Sequence, residues 1–249
     1  MDDATVPIEK QRSVDALRRH LQTAKHLRRQ ANSEPAAAHN RLRLRDWQAG
    51  RLARTHADLL ASQRFGEAAR FFLSDLYGPK DFSSRDEEVE RILPLLIKML
   101  PASALRTVAL AVELDALSEE LDSAMVAELD RKGLIEGIDE DTYAAAYRSI
   151  GCRAEREQQI VLIRQTGEAL DRLARKPLLS TMLKLMRGPA HLAGLGDLHE
   201  FLDRGFNAFR GMGSAAPFLD SIERKEQQLL GKLFAGIGQP FSDGDAYTL

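Results

Sequence analysis

Phe65-Gly-Glu-Ala-Ala-Arg-Phe-Phe-Leu-Ser-Asp-Leu-Tyr-Gly-Pro-Lys-Asp-Phe82 is the stretch from which the fold is read. It holds five aromatics, in a chain with ten Phe, four Tyr and one Trp in all. Phe72, Leu73 and Leu76 fall on one helical face, and Phe65, Ala68 and Ala69 extend that face one turn back. Phe71 and Tyr77 widen the apolar sector at its sides. Gly78-Pro79 ends the helix, because glycine tolerates the positive φ of a helix end and proline cannot continue the hydrogen-bond ladder. The chain then restarts at once. Ser84 and Glu87 have the spacing of a capping box, in which each side chain satisfies an orphan amide of the first turn. This helix–stop–helix pattern predicts helical architecture with an aromatic seam turned to the core.

The same periodicity extends in both directions. Nine helices are expected, over about Ile8–Ala31, Ala36–Ala61, Gly66–Tyr77, Arg85–Leu100, Ala104–Lys132, Thr142–Ile150, Arg153–Met186, Leu198–Gly211 and Ala215–Phe234. No segment alternates as a strand does. The fold class read from this is all-α, a single compact bundle without a sheet. Pro94 calls for a kink or a later helix start, and Pro177 for a kink or a division. Gly188-Pro189, Gly194 and Gly196 read as a broken connection, and Gly205 as a place where another helix comes close. Residues 1–35 form a basic amphipathic segment whose narrow apolar stripe is compatible with loose packing, pairing with another copy or partial mobility. Residues 36–236 form the bundle, and the patternless tail 237–249 is expected to be disordered.

At 249 residues, with 44% apolar and 29% charged residues, the chain has ample material for a core. Its one cysteine, Cys152, makes no internal disulfide and fits a reducing compartment, with the cytoplasm expected. No apolar run is long enough to span a bilayer. The net charge of −2 conceals a division. Residues 9–56 hold twelve Lys or Arg against four acids, and residues 113–141 hold eleven acids against two bases. These are solvated faces, faces turned toward each other, or a basic surface for an anionic partner.

Phe71-Phe-Leu-Ser-Asp-Leu-Tyr77 resembles the signature of the bacterial FFLEELY-motif proteins, with Ser74 and Asp75 in place of two glutamates. The surroundings are similar at Arg64 to Asp86, Leu100 to Leu105, Met186 to Ala190 and Gly205 to Gly213, so the likeness spans about residues 42–236. That family is defined by sequence. The resemblance implies no activity, cofactor or catalytic residue.

Motifs for phosphate loops, dinucleotides, zinc clusters, Glu-x-x-His di-iron sites and nucleophile elbows are missing. His56 lies among Leu52, Ala53, Leu59 and Leu60 at helical spacing. It is therefore a core histidine bonded to a neighbour, or a haem-type ligand. Glu113 sits in the apolar run 108–117, as an ion-pair partner of Arg51, Arg54 or Arg70 or as a general acid or base. Trp47 and Tyr77 complete a candidate pocket with these two. Phe82 is an anchor for its turn or a recognition residue. No cofactor is assigned, and whether the protein is an enzyme is left open. The leading expectation is an interaction or regulatory scaffold that binds a protein partner or self-associates. A ligand- or cofactor-binding bundle using His56 and Glu113 is the alternative. Nucleic-acid binding by the basic N-terminal helices is a weaker reading, since interleaved aromatics are lacking. A membrane partner is not expected.

Overall fold

The computed structural model describes residues 8–76 and 83–241. Tyr77, the Gly78-Pro79 stop, Phe82 and the side chain of Ser84 lie outside the described residues, so the capping box is not addressed. Among the described residues there are eleven α-helices and no strand. They are α1 (Ile8–Ala31), α2 (Pro35–Thr55), α3 (Ala57–Ala61), α4 (Gly66–Phe71), α5 (Ser83–Met99), α6 (Ala102–Arg131), α7 (Glu140–Ile150), α8 (Arg153–Ala174), α9 (Pro177–Leu192), α10 (Gly196–Met212) and α11 (Ala216–Ala235). The fold is all-α.

Eleven helices stand in place of nine because two of those expected are divided. The second breaks at His56, whose backbone leaves the helical region at φ −112° and ψ 28°. Lys225 of α11 takes up the carbonyl exposed there, donating to Thr55 O at 3.0 Å and to Asp58 at 2.6 Å. The seventh divides at Lys176, just before Pro177, as the proline requires. Two other prolines are carried inside helices. α5 runs through Pro94, and α9 continues through Gly188-Pro189 to Leu192, where a broken connection was expected.

The opening stretch also winds differently from a simple helix. After α4, Phe72–Leu76 form a wider π-helical turn. A π turn shifts the register of all that follows it. Both Phe71 and Phe72 are buried as a result, at 7% and 8% exposure, whereas a regular helix would send one to the side. They enter an aromatic core with Phe201, Phe206, Phe209 and Phe218. Gly205 is what admits Phe71, since a Cβ there would stand 2.8 Å from the ring's Cζ.

α6 is the spine of the molecule, 30 residues long and packed against α1, α2, α7 and α8. α1 lies along α6 with Leu17 and Ala24 fully buried. A second core forms from Leu44, Met125, Leu129, Tyr143, Tyr147, Ile160 and Leu230. Within the expected tail, Phe241 packs on Trp47 and Tyr143, and residues 242–249 lie outside the described region. Residues of both cores line one cavity.

Candidate functional site

α2 and α11 run antiparallel, which brings Arg51 and His56 of one against Glu226 of the other. Glu226 occupies an apolar seam position, four residues after Ile222 and three before Leu229. Arg51 Nη1 donates to both Glu226 oxygens at 2.6 and 2.8 Å, and His56 Nε2 lies 2.9 Å from Oε1. Burial pushes the Glu226 carboxyl up. The Arg51 charge and the His56 hydrogen bond outweigh it and hold the pKa at about 2. Arg51 Nε and His56 Nδ1 are buried without a partner.

These groups line a cavity of about 130 Å³ between α2, α6, α8 and α11. Its apolar lining includes Leu59, Ala69, Phe72 and Phe218 from the aromatic core and Ile160, Leu229 and Leu230 from the second core. Its polar lining includes Arg45, Gln48, Glu119 and Asp122 from α2 and α6, and Arg156 and Gln159 from α8. Glu119, only 2% exposed, is a hub: Arg28 Nε donates to it at 3.1 Å, and Arg41 and Arg45 close on its two oxygens. Arg28 also donates to both oxygens of Asp115 at 2.6 Å. The basic and acidic segments of the sequence therefore face each other here. Three arginines of α1 and α2 meet three carboxylates of α6 inside the fold.

Arg156 is held differently. It is 6% exposed, its guanidinium carbon lies 4.7 Å over the Tyr147 ring, and Nη1 reaches Gln159 Oε1 at 3.3 Å. Gln159 in turn donates to Ser118 Oγ at 2.9 Å, and Ser118 donates to Leu114 O. Among the described residues no carboxylate pairs with Arg156, and its Nε and Nη2 have no partner. Burial pushes the Tyr147 phenol above its ordinary range, against the pull of the Arg156 charge, so the phenol stays neutral.

Of the four residues expected at a pocket, His56 lines the cavity. Trp47 sits behind it, stacked on the cavity residue Tyr143 with ring centroids 4.0 Å apart. Glu113 is half-buried on α6 and does not line the cavity, and Tyr77 lies outside the described residues. His199 is buried with Nε2 2.8 Å from Leu183 O. A haem does not fit. The cavity is close in size to one that holds benzene, and the Nε2 of His56 is already engaged by Glu226. No three His, Cys, Asp or Glu side chains among the described residues gather as a metal site. Arg51, Glu226, Arg156 and Gln159 were not singled out as a site from the sequence. Their signal was a charge or amide at an apolar seam position: Arg156 stands one turn before Ile160, and Glu226 one turn before Leu230.

A family described as Domain of unknown function (DUF8198) matches residues 27–240. The chain belongs to that family. The matched region contains every cavity residue except Phe241. Comparisons with curated proteins and with solved structures found no match. No helix among the described residues is long and apolar enough to cross a membrane.

Proposed function

We propose that this protein is a binding protein that takes a small molecule into the cavity between α2, α6, α8 and α11. The observation that carries the reading is a void lined by apolar side chains together with polar side chains that have unpartnered buried nitrogens. A void with no role would fill with packed side chains, since interiors are packed as densely as organic crystals. The polar groups at its rim act in recognition. Ser118 has no base beside it, as its oxygen accepts from Gln159 and its proton goes to a backbone carbonyl. The resemblance to FFLEELY-motif proteins adds no chemistry to this reading. A reducing cytoplasm is the location we propose, in keeping with the single Cys152. Native and denaturing mass spectra of the protein as isolated test the reading. The expected result is a small adduct that denaturation removes and that Ile222→Phe, which fills the cavity, excludes. The bare sequence mass in both spectra would count against it.

A second reading, an interaction module, is favoured by α9. Met182, Leu185, Met186 and Leu192 are 52%, 72%, 50% and 92% exposed along one side of that helix. An apolar stripe of this kind on an otherwise polar surface marks a contact site. Leu185→Asp should leave the helical content intact and abolish any dimer seen by sedimentation equilibrium. A wild-type protein that stays monomeric at high concentration would remove self-association from this reading.

A further inference from the structure

We infer that the cavity's ligand is a small carboxylate with an apolar body, seated on the side edge of Arg156. The inference rests on the cavity being a ligand site and adds the chemical class of what fills it. Three features of Arg156 carry it. The first is burial: a guanidinium 6% exposed has lost its bulk hydration, and a buried charge left without a counter-ion is strongly unfavourable. The second is which atoms are unpartnered. Nη1 is held by Gln159, and the face of the group is covered by Tyr147. Nε and Nη2 remain, and they form the edge that presents two parallel N–H groups to one carboxylate. The third is rigidity. The Tyr147 stack and the Gln159–Ser118 relay fix the plane of the group, so little side-chain order is lost on binding.

Charge fixes the valence of the ligand. Arg28, Arg41 and Arg45 are matched by Asp115, Glu119 and Asp122, and Arg51 is matched by Glu226. Of the arginines that line the cavity, Arg156 is the one without a carboxylate partner among the described residues, and one negative charge balances it. A phosphate dianion would bring a second charge toward Asp115, Glu119 and Glu226, which line the same cavity. Size and polarity set the rest. A space of about 130 Å³ takes a body near the size of a benzene ring, and Leu59, Phe72, Phe218 and Ile222 give the lining an apolar part. An aromatic or short branched acid matches both the charge and the apolar lining.

The test uses 4-fluorobenzoate and its neutral isostere 4-fluorobenzamide, followed by fluorine NMR, on the full chain and on R156Q and R156K. The benzoate should bind the wild type, lose about ten- to hundred-fold in affinity in R156Q, and lose less in R156K, which keeps the charge without the fork. The benzamide should bind more weakly and equally to all three, and inorganic phosphate should not displace the benzoate. If R156Q does not fold, the wild type decides alone: benzoate must shift the Arg156 Nε–H resonance, and benzamide must not. Equal binding of both probes to the wild type and R156Q would overturn the carboxylate inference and leave the cavity reading standing. Displacement of benzoate by phosphate at matched concentration would overturn the carboxylate in favour of a phosphate. Failure of both probes to bind would bring down the cavity reading together with the inference.

Discussion

At Glu226 a single carboxylate is held ionised in the interior by a guanidinium and an imidazole, and this balance can be tested directly. Glu226→Gln removes the charge that Arg51 and His56 face, leaving Arg51 buried and unpaired, and should cost about 3–5 kcal/mol of unfolding free energy. Replacing both partners, as Arg51→Met with Glu226→Met, should recover most of that, because apolar pairs of similar volume often replace a buried ion pair without loss. Denaturant titration of the three variants distinguishes these outcomes. The pH dependence has a definite sign. The folded carboxyl is held at about 2, below its ordinary value, so its contribution is present above the ordinary carboxylate range. It is lost as the pH falls toward 2, and Glu226→Gln should flatten the acid limb of the stability curve there. At this scale the sequence was legible only in part. His56 stood out because histidine among leucines at helical spacing must face inward. Arg51, Arg156 and Glu226 occupy equally apolar seams, but a charged residue there reads as a solvated position until its partner is known, and the partners are as far as 175 residues away.

The helices themselves could be read almost to their ends, because apolar period, capping residues and proline act within a few positions of one another. The exceptions follow from contacts made at a distance. His56 divides α2 from α3, and Lys225 from α11 satisfies the carbonyl left open by the break. The π turn at 72–76 has no local signature in Phe-Leu-Ser-Asp-Leu; it is seen only through the burial of both Phe71 and Phe72. The two glycines Gly205 and Gly231 separate packing from propensity. Gly205→Ala places a methyl against the Phe71 ring, and overpacking of about 1–3 kcal/mol should outweigh the helix gain of about 1 kcal/mol. Gly231, inside α11, has nothing within 4 Å of a built Cβ, so Gly231→Ala should stabilise by up to about 1 kcal/mol. Thermal melts should therefore move in opposite directions. A rise in both would show that Phe71 yields freely and that Gly205 has no packing role.

Over the whole molecule, the charge division visible in the sequence becomes an internal joint. The basic helices α1 and α2 close on the acidic α6 through Glu119, so Arg28, Arg41 and Arg45 of the basic segment are buried in ion pairs and do not face a partner. Glu119→Gln leaves Arg41 without its carboxylate, leaves Arg45 with Asp122 alone and weakens the hold on Arg28, and should cost about 3–5 kcal/mol, with little relief from added salt because the pairs are buried. A loss below about 1 kcal/mol would mean that the cluster is hydrated and behaves as a surface pair. That the two segments meet could be weighed from sequence, since opposite faces of equal size are the simplest neutral arrangement. That they leave Arg156 without a carboxylate, beside a void with a partly apolar lining, could not, because the count depends on which pairs close. The most direct measurement is a high-resolution crystal structure of the protein as purified from its host, read at the Nε and Nη2 edge of Arg156. The account predicts a planar, two-oxygen density lying in the plane of the guanidinium, continuous with density running toward Phe72 and Phe218. A carboxylate of the chain itself on that edge, or a cavity closed by its own side chains, would contradict it.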